Sequence, residues 1–231
     1  MARKQNLYTY IVLDRTGSMT DKWQQSISSI NEYVNVLKES KEVKSFVKVV
    51  AFDDNGVYGH LNKSGSIYLS LDTQTAEKVS TVFEMASIDT WVPLTVESLQ
   101  LKNVYPRGMT NLYDATGKTL NEAIESGKKR VCVVVVTDGY ENASKEFTQE
   151  TIKAKIKQFQ DDGKEVVFLG ANFDVSTTAS TLGMAQDKFI NTVSNNLSGT
   201  MRALATHSVA YGSMGATMSI SAEDKAAAIK S

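Results

Sequence analysis

The chain has 231 residues, 42% hydrophobic and 22% charged, which suits one generous α/β domain with an ordinary buried core and excludes global disorder. Its formal charge of −1 argues against nucleic-acid or membrane-surface binding that rests on bulk electrostatics. The single cysteine, Cys132, excludes an intramolecular disulfide and a cysteine-based zinc site, and the two histidines, His60 and His207, lack ligand-like spacing.

Residues 1–6 are polar and basic, without the apolar core of a signal peptide. No stretch reaches the roughly 20 apolar residues of a membrane span, so a cytoplasmic location is expected. Leu7–Leu13 reads as a buried strand ending at Asp14. Trp23, Ile27, Ile30, Val34 and Leu37 recur at helical spacing and predict an amphipathic helix over about 20–39. Phe46–Phe52 is a second strand, and Asp53-Asp54-Asn55-Gly56 a turn; it lacks the loop length and terminal Glu of an EF-hand. Val57–His60 is expected to return as a short antiparallel edge strand. Residues 61–105 carry the weakest pattern, with a helix predicted over 75–85 and strand or loop over 91–104.

Leu112, Ala115, Thr119, Ala123 and Ile124 form one helix face that stops at Gly127. The all-apolar run Val131–Val136 belongs at the centre of a parallel sheet covered on both faces. Thr148 caps a helix that closes at Gly163, Glu165–Leu169 is the next strand, and a short helix over 177–182 precedes a weak strand over 188–193. Leu197, Met201, Leu204 and Val209 predict a last helix. Strands alternating with helices imply a doubly wound, mostly parallel sheet with one antiparallel edge strand and helices on both faces. The expected organisation is one domain over 1–212 and a loosely held tail over 213–231, rich in Ala, Ser, Gly and Met.

Ligands on such sheets bind beyond the carboxyl ends of the strands. Three segments carry oxygen donors there: Asp14-Arg15-Thr16-Gly17-Ser18, Gly108-Met109-Thr110 and Thr137-Asp138-Gly139. Two carboxylates and three hydroxyls, with no imidazole or thiolate, suit a hard cation such as Mg²⁺ or Mn²⁺. Taken singly, each segment is also an ordinary turn or helix cap. Together they resemble the metal-ion-dependent adhesion site of von Willebrand factor A-type domains. That family has Asp-x-Ser-x-Ser after its first strand, a Thr in a later loop and an Asp after its fourth strand. The matching positions are Asp14, Thr16, Ser18, Thr110 and Asp138, with Thr16 standing where Ser is usual. The resemblance covers residues 7 to about 209, and ATGKTLNEAI and VTDGYENAS look like the compact members of bacteria and phages.

The resemblance implies a Rossmann-like fold and a metal-dependent protein-binding module that is not an enzyme. Thr16, Ser18 and in some members Thr110 touch the ion, Asp14 and Asp138 act directly or through water, and a partner's Asp or Glu fills the open position. Arg15, Arg107, Tyr140 and Glu141 are placed on the partner-binding rim, where the alternative for each is an exposed loop residue. Two other functions compete. A phosphohydrolase of the haloacid-dehalogenase kind also uses an Asp at the first strand end, but requires a second Asp where Thr16 stands. A self-associating subunit, phage-encoded, would use residues 61–105 or the tail.

Overall fold

The computed structural model describes residues 4–54, 58–61, 67–70 and 79–230. In chain order the elements are β1 (Gln5–Asp14), α1 (Trp23–Glu39), β2 (Val43–Phe52), β3 (Tyr58–Leu61), β4 (Ile67–Ser70), β5 (Val79–Ser87) and α2 (Val96–Gln100). They continue with α3 (Leu112–Glu125), β6 (Val131–Thr137), α4 (Gln149–Asp161), β7 (Glu165–Ala171), α5 (Ser176–Thr181), β8 (Phe189–Thr192), α6 (Leu197–Met214) and α7 (Ala222–Ala228). The main sheet has the order β5-β2-β1-β6-β7-β8, parallel throughout except for β5.

Period-two alternation sends successive strand residues to opposite faces, where different helices receive them. Leu7, Ile11 and Leu13 of β1 join Cys132, Val134 and Val136 of β6 under α1 and α6. Tyr10 and Val12 join Val131, Val133 and Val135 under α3, α4 and α5. β1 and β6 are therefore buried on both faces at the middle of the sheet, which fixes their carboxyl ends side by side. None of the described helices is long and apolar enough to cross a membrane.

Three expectations are corrected. The segment expected as an edge strand near 57–60 instead gives β3, which pairs with β4 in a separate two-stranded ribbon; Val57 lies outside the described residues. The antiparallel edge strand is β5, in the stretch where helical spacing predicts a helix over 75–85, of which 75–78 lie outside the described residues. β-Branched Val79, Thr81 and Val82 favour a strand, and pairing with β2 settles the ambiguity of a short apolar run. Within 91–104 the chain folds as a loop carrying α2, whose capping box uses Thr95 and Ser98.

The loosely held tail is the third. α6 ends on Gly215 in the left-handed conformation (φ 73°), and the chain then turns back along the sheet. Met218, Ile220 and Ala228 enter the core under α6. A buried ion pair, Lys188 Nζ to Glu165 at 2.7 Å, grips the Met218 backbone: Lys188 donates to its carbonyl, and its N–H donates to Glu165 Oε1 at 3.2 Å.

Candidate metal centre

Asp14, the last residue of β1, is fully buried, and its two carboxylate oxygens organise the site. Oδ1 accepts from the Thr16 N–H at 2.8 Å, and Oδ2 from the hydroxyl of Thr137, the last residue of β6, at 2.6 Å. The turn so formed brings the Thr16 and Ser18 hydroxyls to 3.1 Å from each other, and Ser18 donates to Asp138 Oδ1 at 2.6 Å. Thr110 arrives from the loop before α3. Its N–H donates to Asn142 Oδ1 at 2.8 Å, while its carbonyl accepts from the N–H groups of Asn142 and Ala143 at 2.9 and 3.1 Å. The Gly17 N–H donates to the Gly108 carbonyl at 3.2 Å and ties that loop to the first. All five expected donors converge at the carboxyl edge of the sheet.

The arrangement fits a small hard cation. Neighbouring ligands of an octahedral ion with bonds of about 2.1 Å lie about 3.0 Å apart, close to the hydroxyl separation seen here. A Cβ placed on Gly139 would lie 3.3 Å from Thr110 Oγ1 and 3.9 Å from Ser18 Oγ, so the missing side chain leaves room between those hydroxyls. Among the described residues no three His, Cys, Asp or Glu side chains gather, so the donor set is hydroxyl-rich and suits Mg²⁺ or Mn²⁺ better than softer metals.

Burial raises the Asp14 pKa from 3.8 to about 6, with hydrogen bonds from Thr137 and Thr16 offsetting part of the rise and the Asp138 charge adding to it. Between about pH 4 and pH 6 the folded, metal-free chain keeps a proton that the unfolded chain has released, so stability falls as pH rises through that window. At about 1.4 kcal/mol per pKa unit the loss is about 2–3 kcal/mol. Urea unfolding of wild type and Asp14→Asn in chelator, from pH 4 to pH 7, checks this. The difference between the two curves should fall by that amount, and a flat difference refutes it.

The four rim assignments fare differently. Arg15 and Arg107 are buried, at 0% and 5% exposure, and both reach Asp53: Arg15 Nε lies 2.9 Å from Asp53 Oδ2, and Arg107 Nε donates to the same oxygen. They link the two ligand loops through Asp53 and are not exposed at the surface. Glu141 turns inward, where its carboxylate accepts from the N–H groups of Tyr113, Ala143 and Ser144 at 2.7–2.8 Å. Tyr140 alone stands out into solvent, 58% exposed, packed edge-on against Phe173 at 4.6 Å between ring centres.

The structure also brings in residues that motif reading passes over. Lys22, four residues after Ser18 on the turn leading into α1, donates to Asp138 Oδ2 at 2.8 Å and to the Ser18 carbonyl at 3.1 Å. Its ammonium offsets part of the charge of the two carboxylates. Asp114, at the start of α3, accepts from the N–H groups of Lys145, Glu146 and Phe147, each at 2.9 Å. Asp114, Glu141 and Asn142 thereby shape the loop after β6 against the one that carries Thr110.

No protein-family model and no curated protein matches this sequence. Solved structures do. The pilus adhesin SpaC from Lactobacillus rhamnosus GG aligns over 91% of this chain with a TM-score of 0.63 and 13% identity. The vWF domain of the type V pili tip protein Mfa5 from Porphyromonas gingivalis aligns over 89% with 0.60 and 10%. A von Willebrand factor type A protein from Catenulispora acidiphila aligns over 89% with 0.52 and 13%. The chain spans 31% of the SpaC chain and 43% of the Catenulispora one, but 95% of the Mfa5 domain. By sheet order, one antiparallel edge and helices on both faces, the chain has the von Willebrand factor A-type fold.

Proposed function

We propose that the chain is a protein-binding module in which Asp14, Thr16, Ser18, Thr110 and Asp138 hold Mg²⁺ or Mn²⁺, and that the held ion takes an Asp or Glu carboxylate from a partner. The observation that carries this reading is the convergence of three hydroxyls and two carboxylates from three loops around a space that Gly139 keeps clear. The ion supplies Lewis acidity toward an anionic oxygen. Asp14 and Asp138 balance its charge, and Thr137, Asn142 and Lys22 hold the ligands in place. Two of the similar structures are named as an adhesin and a pilus tip protein, which agrees with a binding role.

Three groups that a hydrolase could draw on are engaged otherwise. Burial pushes the Cys132 thiol up to about 12, which disfavours the nucleophilic thiolate. His207 pairs with Asp224 between α6 and α7 at 2.9 Å, and the Ser18 hydroxyl donates to Asp138. The side chain of His60 lies outside the described residues.

The test is Mn²⁺ titration followed by electron paramagnetic resonance, together with thermal unfolding in chelator and in millimolar Mg²⁺. Wild type should bind one ion and gain about 2.7 kcal/mol at 100 times its dissociation constant. Ser18→Ala, which removes one ligand, and Gly139→Ala, which puts a methyl into the space, should each weaken binding at least tenfold while unfolding normally in chelator. Wild type that binds no ion overturns the reading. So does equal binding by both variants.

A further inference from the structure

The parallel strands begin at the edge of the sheet opposite the metal centre, and four of them begin beside cations. Lys4 precedes β1, Lys41 and Lys44 flank the start of β2, Lys128, Lys129 and Arg130 lead into β6, and Lys164 stands directly before β7. These four strands are neighbours in the order β2-β1-β6-β7. At about 4.8 Å between strands, the cations form a row about 14 Å long. Three adjoining clefts of about 610, 380 and 600 Å³ run along it. Their lining holds eight cations, Lys38 included, against two carboxylates, Asp89 and Asp162.

Among the described residues only Lys164 of this row has a carboxylate partner, Asp162 at 3.2 Å. Lys44 and Lys128 lie over the rings of Phe46 and Tyr8 at 5.4 and 5.1 Å, and those rings stack on each other at 4.9 Å. Such contacts hold an ammonium in place without cancelling its charge. Helix dipoles explain part of the row, because α1, α3, α4 and α6 end at this edge. Four helix ends at about half a negative charge each offset about 2 charges. Glu39 and Glu125, the last residues of α1 and α3, and Glu42, just before β2, reduce the surplus further without removing it. A net charge of −1 averages this edge away against an acidic remainder.

We propose that this edge binds single-stranded nucleic acid through its phosphates, independently of the metal centre. A concave row of cations follows a flexible phosphate chain, as an electrostatic groove does. A lipid surface fits poorly: none of the large exposed apolar residues, such as Leu101, Met214 or Ile229, lines the clefts to enter a bilayer. An acidic peptide fits poorly too. Strand termini, not a strand edge, face this side, so no free ladder is offered to a peptide main chain, and the apolar lining residues Leu37, Val43 and Ile88 are buried. The remaining lining includes the amides of Gln5 and Asn6 and the hydroxyls of Ser40 and Ser87, which suit phosphate and sugar oxygens.

The test is fluorescence anisotropy of the full chain with labelled oligothymidylate of 20 nucleotides, between 50 and 200 mM NaCl. Binding should weaken with salt along a log–log slope of about −2 to −3, as for three or four phosphates at about −0.7 each. The triple variant Lys128→Glu/Lys129→Glu/Arg130→Glu should bind at least tenfold more weakly, and Ser18→Ala should bind as wild type does. If the triple variant does not fold, Lys41→Glu/Lys44→Glu serves the same purpose. No binding at 50 mM NaCl overturns the proposal, and so does a folded charge-reversal variant that binds unchanged. Polyglutamate, or vesicles with about one-third anionic lipid, competing as well as the oligonucleotide at equal charge also overturns it, in favour of an acidic protein or a membrane.

Discussion

Cutting the chain after Gly215 should abolish cooperative unfolding or lower stability by more than about 5 kcal/mol. The removed segment carries Met218 and Ile220, both in the core, and burying a side chain of that size contributes about 1.5–3 kcal/mol each. Its loss also strips Lys188 and Glu165 of the Met218 carbonyl and N–H that complete their buried pair. Thr192, Val193 and Asn196 lose the Ala227 and Ala228 carbonyls that accept from them at 2.7–3.3 Å, and these bonds hold the end of β8. Net stabilities of whole domains lie at about 5–15 kcal/mol, so the cut removes a large fraction of the total. Urea unfolding by circular dichroism, with Met218→Ala at an expected cost of about 2–5 kcal/mol as the graded version, measures it. A truncated chain with the wild-type midpoint would show that the segment rests on the fold without supporting it.

That segment shows where sequence reading stops. β1, β2, β6 and β7 and the helices α1, α3, α4 and α6 are legible because each carries its own periodicity or an apolar run of sufficient length. α7 reads AEDKAAA, too short and too small in side chains to announce a buried face. What buries Ala228 is packing against α6 and β8, elements that its own residues do not specify. The same limit governs β5, where helical spacing was present and pairing with β2 decided otherwise. In the candidate site, Asp14, Thr16, Ser18, Thr110 and Asp138 are legible because they stand at strand and loop ends that the sequence itself marks. The inward roles of Asp53, Asp114 and Glu141 are not, because an acidic residue in a polar loop looks the same whether it faces water or a buried N–H. Their partners lie up to 54 positions away.

Asp53→Ala should therefore cost far more than a turn substitution, about 3–5 kcal/mol, because removing one member of a buried ion pair leaves its partner charged and desolvated. Asp53 is 0% exposed and meets both Arg15 and Arg107. For a chain of this size about 2–4 °C is lost per kcal/mol, so the thermal midpoint should drop by roughly 6–20 °C. Asp53→Asn keeps the shape and one acceptor but not the charge, and should fall between the two. The effect should reach the metal centre, since Arg15 lies between Asp14 and Thr16 and its carbonyl accepts from the Arg107 N–H at 2.7 Å. The same contact sits beside the Gly17–Gly108 bond that joins the two ligand loops. With Asp53 gone, Mn²⁺ affinity should decline along with stability. An unchanged midpoint would deny the buried charge its structural role. A lowered midpoint with wild-type Mn²⁺ affinity would mean that the arginine pair supports the sheet edge, while the ligand loops are held by Asp14, Thr137 and Asn142 alone.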